Sequence, residues 1–231
     1  MLLFSLECSA AAASAAIYRD EKLLGEEFLN VPQTHSVTLL PMAKSLLEHT
    51  GISPAQIDYY AVSRGPGSFT GLRIGIAAIK GLAFPDDTPC IGVSTPEAIA
   101  YGLLGFEGTV IPMMDARCGQ VYTALFQGKD GRLTRLSEDE ALPLSELKEK
   151  LKSCTGPLWL CGDGAHLGLA AWGEELPVRM APAHLCCQRA SAVGLAAMQH
   201  LGEAVSPAAL VPCYLRPANA MTLAERQKKA E

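Results

Sequence analysis

Apolar and polar positions along this chain switch between two rhythms, and the switch is sharpest between residues 58 and 83. Asp58-Tyr-Tyr-Ala-Val62 is rich in aromatic and β-branched residues and reads as a strand. Gly65-Pro66-Gly67 breaks the extended run, because Gly allows backbone angles that other residues avoid and Pro fixes its own. Ser68 suits an N-cap, and apolar residues then recur with helical period at Phe69, Leu72, Ile76, Ile79, Leu82 and Ala83. The unit is strand, glycine turn, helix. Gly71 and Gly75 share one face of that helix, where each costs about 1 kcal/mol against Ala. The stripe is read as a packing face for a second helix.

The same patterning predicts the rest. Leu2–Leu6, Ala15–Tyr18 and Leu23–Leu29 read as three strands in two antiparallel hairpins, with a turn at Arg19–Lys22. A helix spans His35–His49, with Leu39, Leu40, Ala43, Leu46 and Leu47 as its stripe; Pro41 predicts an irregular first turn. Cys90–Val93 is a strand and Ala98–Leu104 a helix capped by Ser94. Strands at Thr109–Met114, Gln120–Phe126, from Leu133, and at Leu158–Cys161 follow, with helices at Leu144–Leu151 and Ala190–Leu201. Glu138–Glu140 reads as a solvated loop, Gly162-Asp-Gly164 as a glycine turn, and Leu223–Glu231 as a charged, frayed end. The second half echoes the first, which predicts a duplicated, two-lobed α/β fold with a boundary near Gly105: lobes 1–105 and 106–231, the last helices packing back on the first.

Composition narrows the field. Apolar residues make up 49% and charged residues 19%, with net charge −5, which favours a compact protein over one holding nucleic acid by its overall field. Eight cysteines without a Cys-x-x-Cys pair read as reduced, mostly buried small hydrophobes. No apolar run reaches membrane-spanning length, and Glu7 interrupts the signal-like start, so a soluble cytoplasmic protein is expected. The candidate chemistry is Glu7, His35, Asp115, Arg117, Asp163 and His166. These form no triad. A partner ligand for His35 one turn on would be residue 39, which is Leu, so no metal site is expected. The glycine turn is neither a Walker loop nor a dinucleotide fingerprint, since the required Lys-Ser/Thr and the later acidic residue are missing. An anion on the helix N-terminus remains open. The cations Arg64, Arg73 and Lys80 read equally as solvated charges or as an anion or partner site.

Arg64-Gly-Pro-Gly-Ser-Phe-Thr-Gly-Leu-Arg-Ile-Gly75 resembles the signature of the TsaB (YeaZ) family of the bacterial threonylcarbamoyladenosine tRNA-modification system. His35-Ser36 with Leu39-Leu-Pro41, Gly92-Val-Ser-Thr95, Asp115-Ala-Arg117 with Val121-Tyr122, Gly162-Asp-Gly164 and Tyr214-Leu-Arg216 extend the likeness along the chain. The resemblance implies an actin/Hsp70-like (ASKHA, ribonuclease H-like) fold of two lobes, with mixed sheets flanked by helices. It implies a non-catalytic subunit pairing with the catalytic paralogue TsaD, which carries an ATP site and a metal-binding His-x-x-x-His. TsaE is a third, nucleotide-hydrolysing member, and the system modifies the adenosine beside the anticodon of ANN-reading tRNAs. The chain would meet tRNA only through that complex, and no membrane. It would have no cofactor of its own, with ATP or ADP at the shared interface. Glu7-Cys-Ser-Ala10 departs from the Asp-Thr-Ser-Thr common at the family's opening.

The partner face, for TsaD or a second copy of the chain, is assigned to His35, Leu39, Leu40, Ala43, Leu46 and Leu47 on one helix. Phe69, Leu72, Arg73, Gly75, Ile76 and Ile79 supply the other. An anion or nucleotide is assigned to Arg64, Gly67, Ser68, Asp115 and Arg117. The rival readings are a peptidase-like hydrolase, which needs a nucleophile–base or metal pair, and an ATP-dependent kinase of the same fold.

Overall fold

The computed structural model describes residues 1–216. The predicted frayed end lies outside them. Two mixed sheets carry one strand order twice. The first is β3(Lys22–Leu29)-β2(Ala13–Arg19)-β1(Leu2–Glu7)-β4(Tyr59–Gly65)-β5(Cys90–Ser94). The second is β10(Glu140–Pro143)-β7(Gln120–Thr123)-β6(Gly108–Asp115)-β11(Leu158–Cys161)-β12(Val178–Met180), with β8(Phe126–Lys129) paired to β6 and β9(Arg132–Arg135) to β8. In both, the hairpin strands are antiparallel and the later crossover strands parallel.

The helices cover both sheets. α1(His35–Thr50) and α2(Phe69–Ala83) pack on one face of the first sheet, over Phe4, Leu6, Ile17, Tyr60 and Val62. α6(Ala190–Ala197) returns from the far end of the chain to the opposite face, over Leu3, Ala16, Tyr18, Ile91 and Val93. Polar anchors seat it. Ser5 Oγ donates to Ala190 O at 2.7 Å, Ala190 N donates to Ser14 Oγ at 2.7 Å, and Glu26 accepts from Ser191 N and Arg189 Nη2. α3(Thr95–Tyr101) bridges from α6 to the second sheet, while α4(Leu144–Leu151) and α5(Ala165–Trp172) cover that sheet's other face.

Several sequence expectations shift. α1 runs unbroken from His35 to Thr50 with Pro41 inside it. Pro41 lies on the exposed face, where water can take the carbonyl bond its missing N–H gives up. Gln120–Phe126 is two strands, because the halves of β6 pair with different partners, β7 and β8. Glu140 begins strand β10 rather than ending a loop, and the helix predicted to Leu201 ends at Ala197. The helix predicted over Ala98–Leu104 occupies Thr95–Tyr101, with Ser94 as its cap. No helix of the described residues is long and apolar enough to cross a membrane. All eight cysteines are free.

Candidate functional site

Loop 8–12, between β1 and β2, is held from both sides. His35, at the first turn of α1, donates Nε2–H to Ala10 O at 2.7 Å. Ser68, the N-cap of α2, donates its backbone N–H to Ser9 O at 2.7 Å, and its hydroxyl accepts from Gly71 N at 3.2 Å. Gly71 and Gly75 make this approach feasible. A Cβ on Gly71 would collide with the Cys8 carbonyl, and one on Gly75 would meet Cys8 Sγ at 2.7 Å. The glycine stripe therefore packs against the chain's own first sheet and loop, not against a second helix.

Glu7, at the end of β1, is completely buried. Its carboxylate accepts from Ser63 Oγ and, at 2.5 Å, from Ser9 N. Burial pushes its pKa up, against the pull of the hydrogen bonds from Ser63 and Ser9. Cys8 beside it is held well above the usual thiol range by burial and by the Glu7 charge. Both groups face into the protein.

The loops opening the two lobes enclose a polar cleft of about 440 Å³, lined by Ser9, Ala10, Gly67, Ser68, Asp115, Ala116, Arg117, Tyr122 and Asp163. Asp115 accepts from Arg117 N at 2.8 Å and from Arg117 Nη1 at 3.2 Å. Asp163 accepts from Gln188 Nε2 at 2.7 Å. Its side chain meets solvent yet is walled by protein, and that desolvation raises its pKa. Among the described residues, His166 bonds only by donating Nδ1–H to Asp163 O. Four of the five residues expected at an anion, Gly67, Ser68, Asp115 and Arg117, thus converge. Arg64 does not. Its side chain runs over Gly92 and lines a separate pocket with Glu97, Arg135 and His200. Among the described residues, no group of three or more His, Cys, Asp or Glu is placed to hold a metal.

The expected partner face is largely interior. Leu39, Ala43, Leu46, Leu47, Leu72, Gly75, Ile76 and Ile79 are buried in the first lobe. One sheet face needs this much apolar surface because both helices lie across it. His35 is tied to Ala10, and the rest of the α2 face is covered by residues 206–216. Tyr214 stacks on Phe69 with ring centres 4.9 Å apart, and its hydroxyl accepts from Arg73 Nε at 3.1 Å. Arg73 in turn lies 3.9 Å over the Phe69 ring, and Lys80 Nζ donates to Ala208 O. Cys213 N donates to Arg64 O, and Arg216 Nη1 to Ala116 O in the second lobe. Periodicity misses this strap, although Tyr214-Leu-Arg216 marks it in the sequence. α1 still exposes Val37 (65%), Leu40 (52%) and Pro41. Leu40, Pro41, Leu47, Ile52, Pro54 and Leu82 line an open apolar groove of about 960 Å³.

Comparison with known proteins identifies the family. A family model described as "TsaD: tRNA N6-adenosine threonylcarbamoyltransferase" matches residues 29–154. The tRNA threonylcarbamoyladenosine biosynthesis protein TsaB of Bacillus subtilis is 31% identical over 220 residues, 95% of this chain and 96% of that protein. A crystal structure from Pseudomonas aeruginosa, described as an uncharacterized protein with similarity to peptidase YeaZ, superposes with a TM-score of 0.80 at 28% identity. It covers 93% of this chain and 99% of its own. Component A of (R)-2-hydroxyglutaryl-CoA dehydratase from Acidaminococcus fermentans matches with a TM-score of 0.52 at 12% identity over 85% of this chain and 96% of its own, a likeness of fold alone. The two repeated sheets are those of the actin/Hsp70-like (ASKHA) fold. The chain belongs to the TsaB (YeaZ) family.

Proposed function

We propose that this chain is a non-catalytic, cytoplasmic subunit of the machinery that makes threonylcarbamoyladenosine in tRNA. Its exposed α1 face would hold a TsaD-like catalytic paralogue. The observation that carries the reading is the groove beside α1. It leaves Leu40 and Val37 exposed on a helix whose other side is already packed, beside an apolar cavity large enough to accept side chains from another helix. Glu7 and Leu39 favour a supporting role over catalysis. The carboxylate at the end of β1 is committed to Ser63 and Ser9 N inside the fold, and Leu39 lies in the core. A TsaE-like ATPase and tRNA would join through the paralogue, ATP or ADP would sit at the shared interface, and a second copy of the chain would take the α1 face when the paralogue is absent. The peptidase-like alternative requires a nucleophile–base or metal pair, and the kinase-like one requires nucleotide bound by the isolated chain at Asp115 or Asp163.

The test is co-elution with the TsaD-like paralogue from the same genome, with threonylcarbamoyladenosine in tRNA read by mass spectrometry. Leu40→Glu should weaken association about tenfold or more, as expected when a charge is buried at an interface centre, and should lower the modified nucleoside in parallel. Its thermal midpoint should stay near wild type, because Leu40 is half exposed. Undiminished association of the folded variant would refute this face.

A further inference from the structure

We propose that a chain of alternating charges, Glu203–His200–Glu97–Arg135–Asp139, is a proton-operated latch on the root of the C-terminal strap, residues 201–205. The root is fastened while His200 is charged and released when His200 is neutral. This goes beyond the subunit reading and does not depend on it, because it concerns how the chain's own parts are joined.

The His200 ring is gripped at both nitrogens. Nδ1 lies 2.9 Å from Glu203 Oε1, and Nε2 lies 2.9 Å from Glu97 Oε1. A neutral imidazole has one N–H and one lone pair, so it serves one carboxylate and points the lone pair at the other. Only the doubly protonated ring donates to both. The geometry is therefore that of an imidazolium. Beyond Glu97 the alternation continues into the second lobe: Glu97 Oε2 accepts from Arg135 Nη2 at 3.1 Å, and Arg135 Nη1 donates to Asp139 Oδ1 at 2.8 Å.

The surroundings favour the charged ring. His200 shares a pocket of about 160 Å³ with Glu97 from α3, Glu203 from its own turn, Arg64 from β4, and Arg135, Glu138 and Asp139 from the second lobe. Four carboxylates thus face it against two guanidinium groups. Tyr101, also on α3, is held as the neutral phenol by burial and by the Glu97 charge. Burial alone would lower the pKa of His200; the bonds and charges of Glu97 and Glu203 outweigh it and leave the pKa raised.

The two ends of the latch respond differently when the proton leaves. Glu97 is 13% exposed and is held by Arg135, which also lies 4.7 Å over the Phe126 ring. Glu203 is 74% exposed, and among the described residues its carboxylate bonds only to His200. A neutral ring keeps its N–H on Glu97 and loses Glu203, whose carboxylate turns to water. Glu203 closes the short turn Leu201–Glu203, two residues before the chain is stitched to the edge of the first sheet. There Cys90 N donates to Val205 O at 2.8 Å, and Val205 N donates to Cys90 O at 2.9 Å. The strap over α2 hangs from this stitch. Deprotonation therefore loosens the strap's root and leaves the Glu97–Arg135–Asp139 half shut.

The test is hydrogen exchange of the whole chain read by mass spectrometry from about pH 5.5 to 8.5, corrected for the intrinsic pH dependence of exchange. NMR titration of the histidine rings runs beside it, with His200 assigned by its loss in His200→Gln. His200 should titrate above the ordinary histidine value of about 6.5. Exchange in peptides covering residues 201–205 should quicken about tenfold through the same midpoint, the usual worth of a hydrogen bond to a charged group. Peptides covering β9 should stay level. The step should vanish in His200→Gln. Glu203→Gln changes an exposed side chain and keeps the test open if His200→Gln misfolds; it should lower the His200 midpoint and give fast exchange at both ends of the range. A His200 midpoint at or below about 6.5 would overturn the latch. So would level exchange of residues 201–205 in wild type, a step that persists in His200→Gln, or a step of equal size in β9.

Discussion

Glu7→Gln should stabilise this protein, and the gain should grow with pH. The wild-type carboxyl is completely buried, and among the described residues it makes no ion pair with Lys or Arg; its partners are Ser63 Oγ and Ser9 N. The amide keeps both contacts, its oxygen accepting from Ser9 N and its NH₂ donating to Ser63 Oγ, while removing the cost of burying a charge. That cost is several kcal/mol for an ion in a protein interior, partly returned by the two hydrogen bonds, which leaves a net gain of about 1–3 kcal/mol at pH 8. For a chain of this length each kcal/mol moves the melting midpoint by about 2–4 °C. Burial raises the folded-state pKa of Glu7, so between the ordinary glutamate value and the raised one the folded state holds a proton that the unfolded state has lost. Wild-type stability therefore declines as pH rises through that window. The assay is urea denaturation of both proteins from pH 4.5 to 8.5, at constant ionic strength. A stability difference that stays flat with pH, or a folded Glu7→Gln that is weaker than wild type at pH 8, would refute the reasoning.

Three further outcomes follow from the packing. Gly75→Leu should cost about 3 kcal/mol or more and lower soluble yield, because overpacking here drives a branched side chain into Cys8 Sγ and Val62; a fully stable variant detected by thermal melting would contradict the close approach. His200 lies 2.9 Å from both Glu97 and Glu203. Burial lowers its pKa, but the bonds and charges of those carboxylates outweigh this and leave it raised. Its contribution is complete below the ordinary histidine value and lost as pH rises through the raised one, so a stability profile in His200→Gln should lack a decline that wild type shows in that range. Tyr214→Ala should cost about 1 kcal/mol from lost stacking on Phe69 and should raise protease sensitivity around residues 206–216, as read by limited proteolysis.

The architecture was legible where elements are locally marked. The strand, glycine turn and helix from Asp58 to Ala83 announce themselves through β-branched residues, Gly-Pro-Gly and a Ser cap, and β4 and α2 occupy those places. α5 escaped because Ala165–Trp172 is small and apolar nearly all round and shows no stripe. β10 escaped because Glu140 sits in a run of acids, although its carboxylate pairs with Lys150 and its backbone joins β7. The largest correction concerns burial. An amphipathic stripe says that a face will be covered, not by what. Leu39, Leu46, Leu72 and Ile76 are covered by the chain's own sheet, and Phe69 by Tyr214, which is 145 residues away in sequence. Gly67, Ser68, Asp115 and Arg117 line one cleft because turn residues and strand ends gather where the two lobes meet. Arg64 is adjacent in sequence, but the strand alternation turns it to the other side of the sheet.

The return of α6 to the first sheet has a consequence for synthesis on the ribosome. Residues 1–105 contain every strand of that sheet, yet one of its faces, with Leu3, Ala16, Tyr18, Ile91 and Val93, is closed by residues 190–197. While the second lobe is being made, that face has α3 on part of it and nothing on the rest. The nascent chain therefore carries a sticky half-finished sheet through the translation of roughly another eighty residues, at several seconds of delay for typical elongation rates. Cutting the gene at the apparent lobe boundary would leave that face of the first lobe permanently without α6.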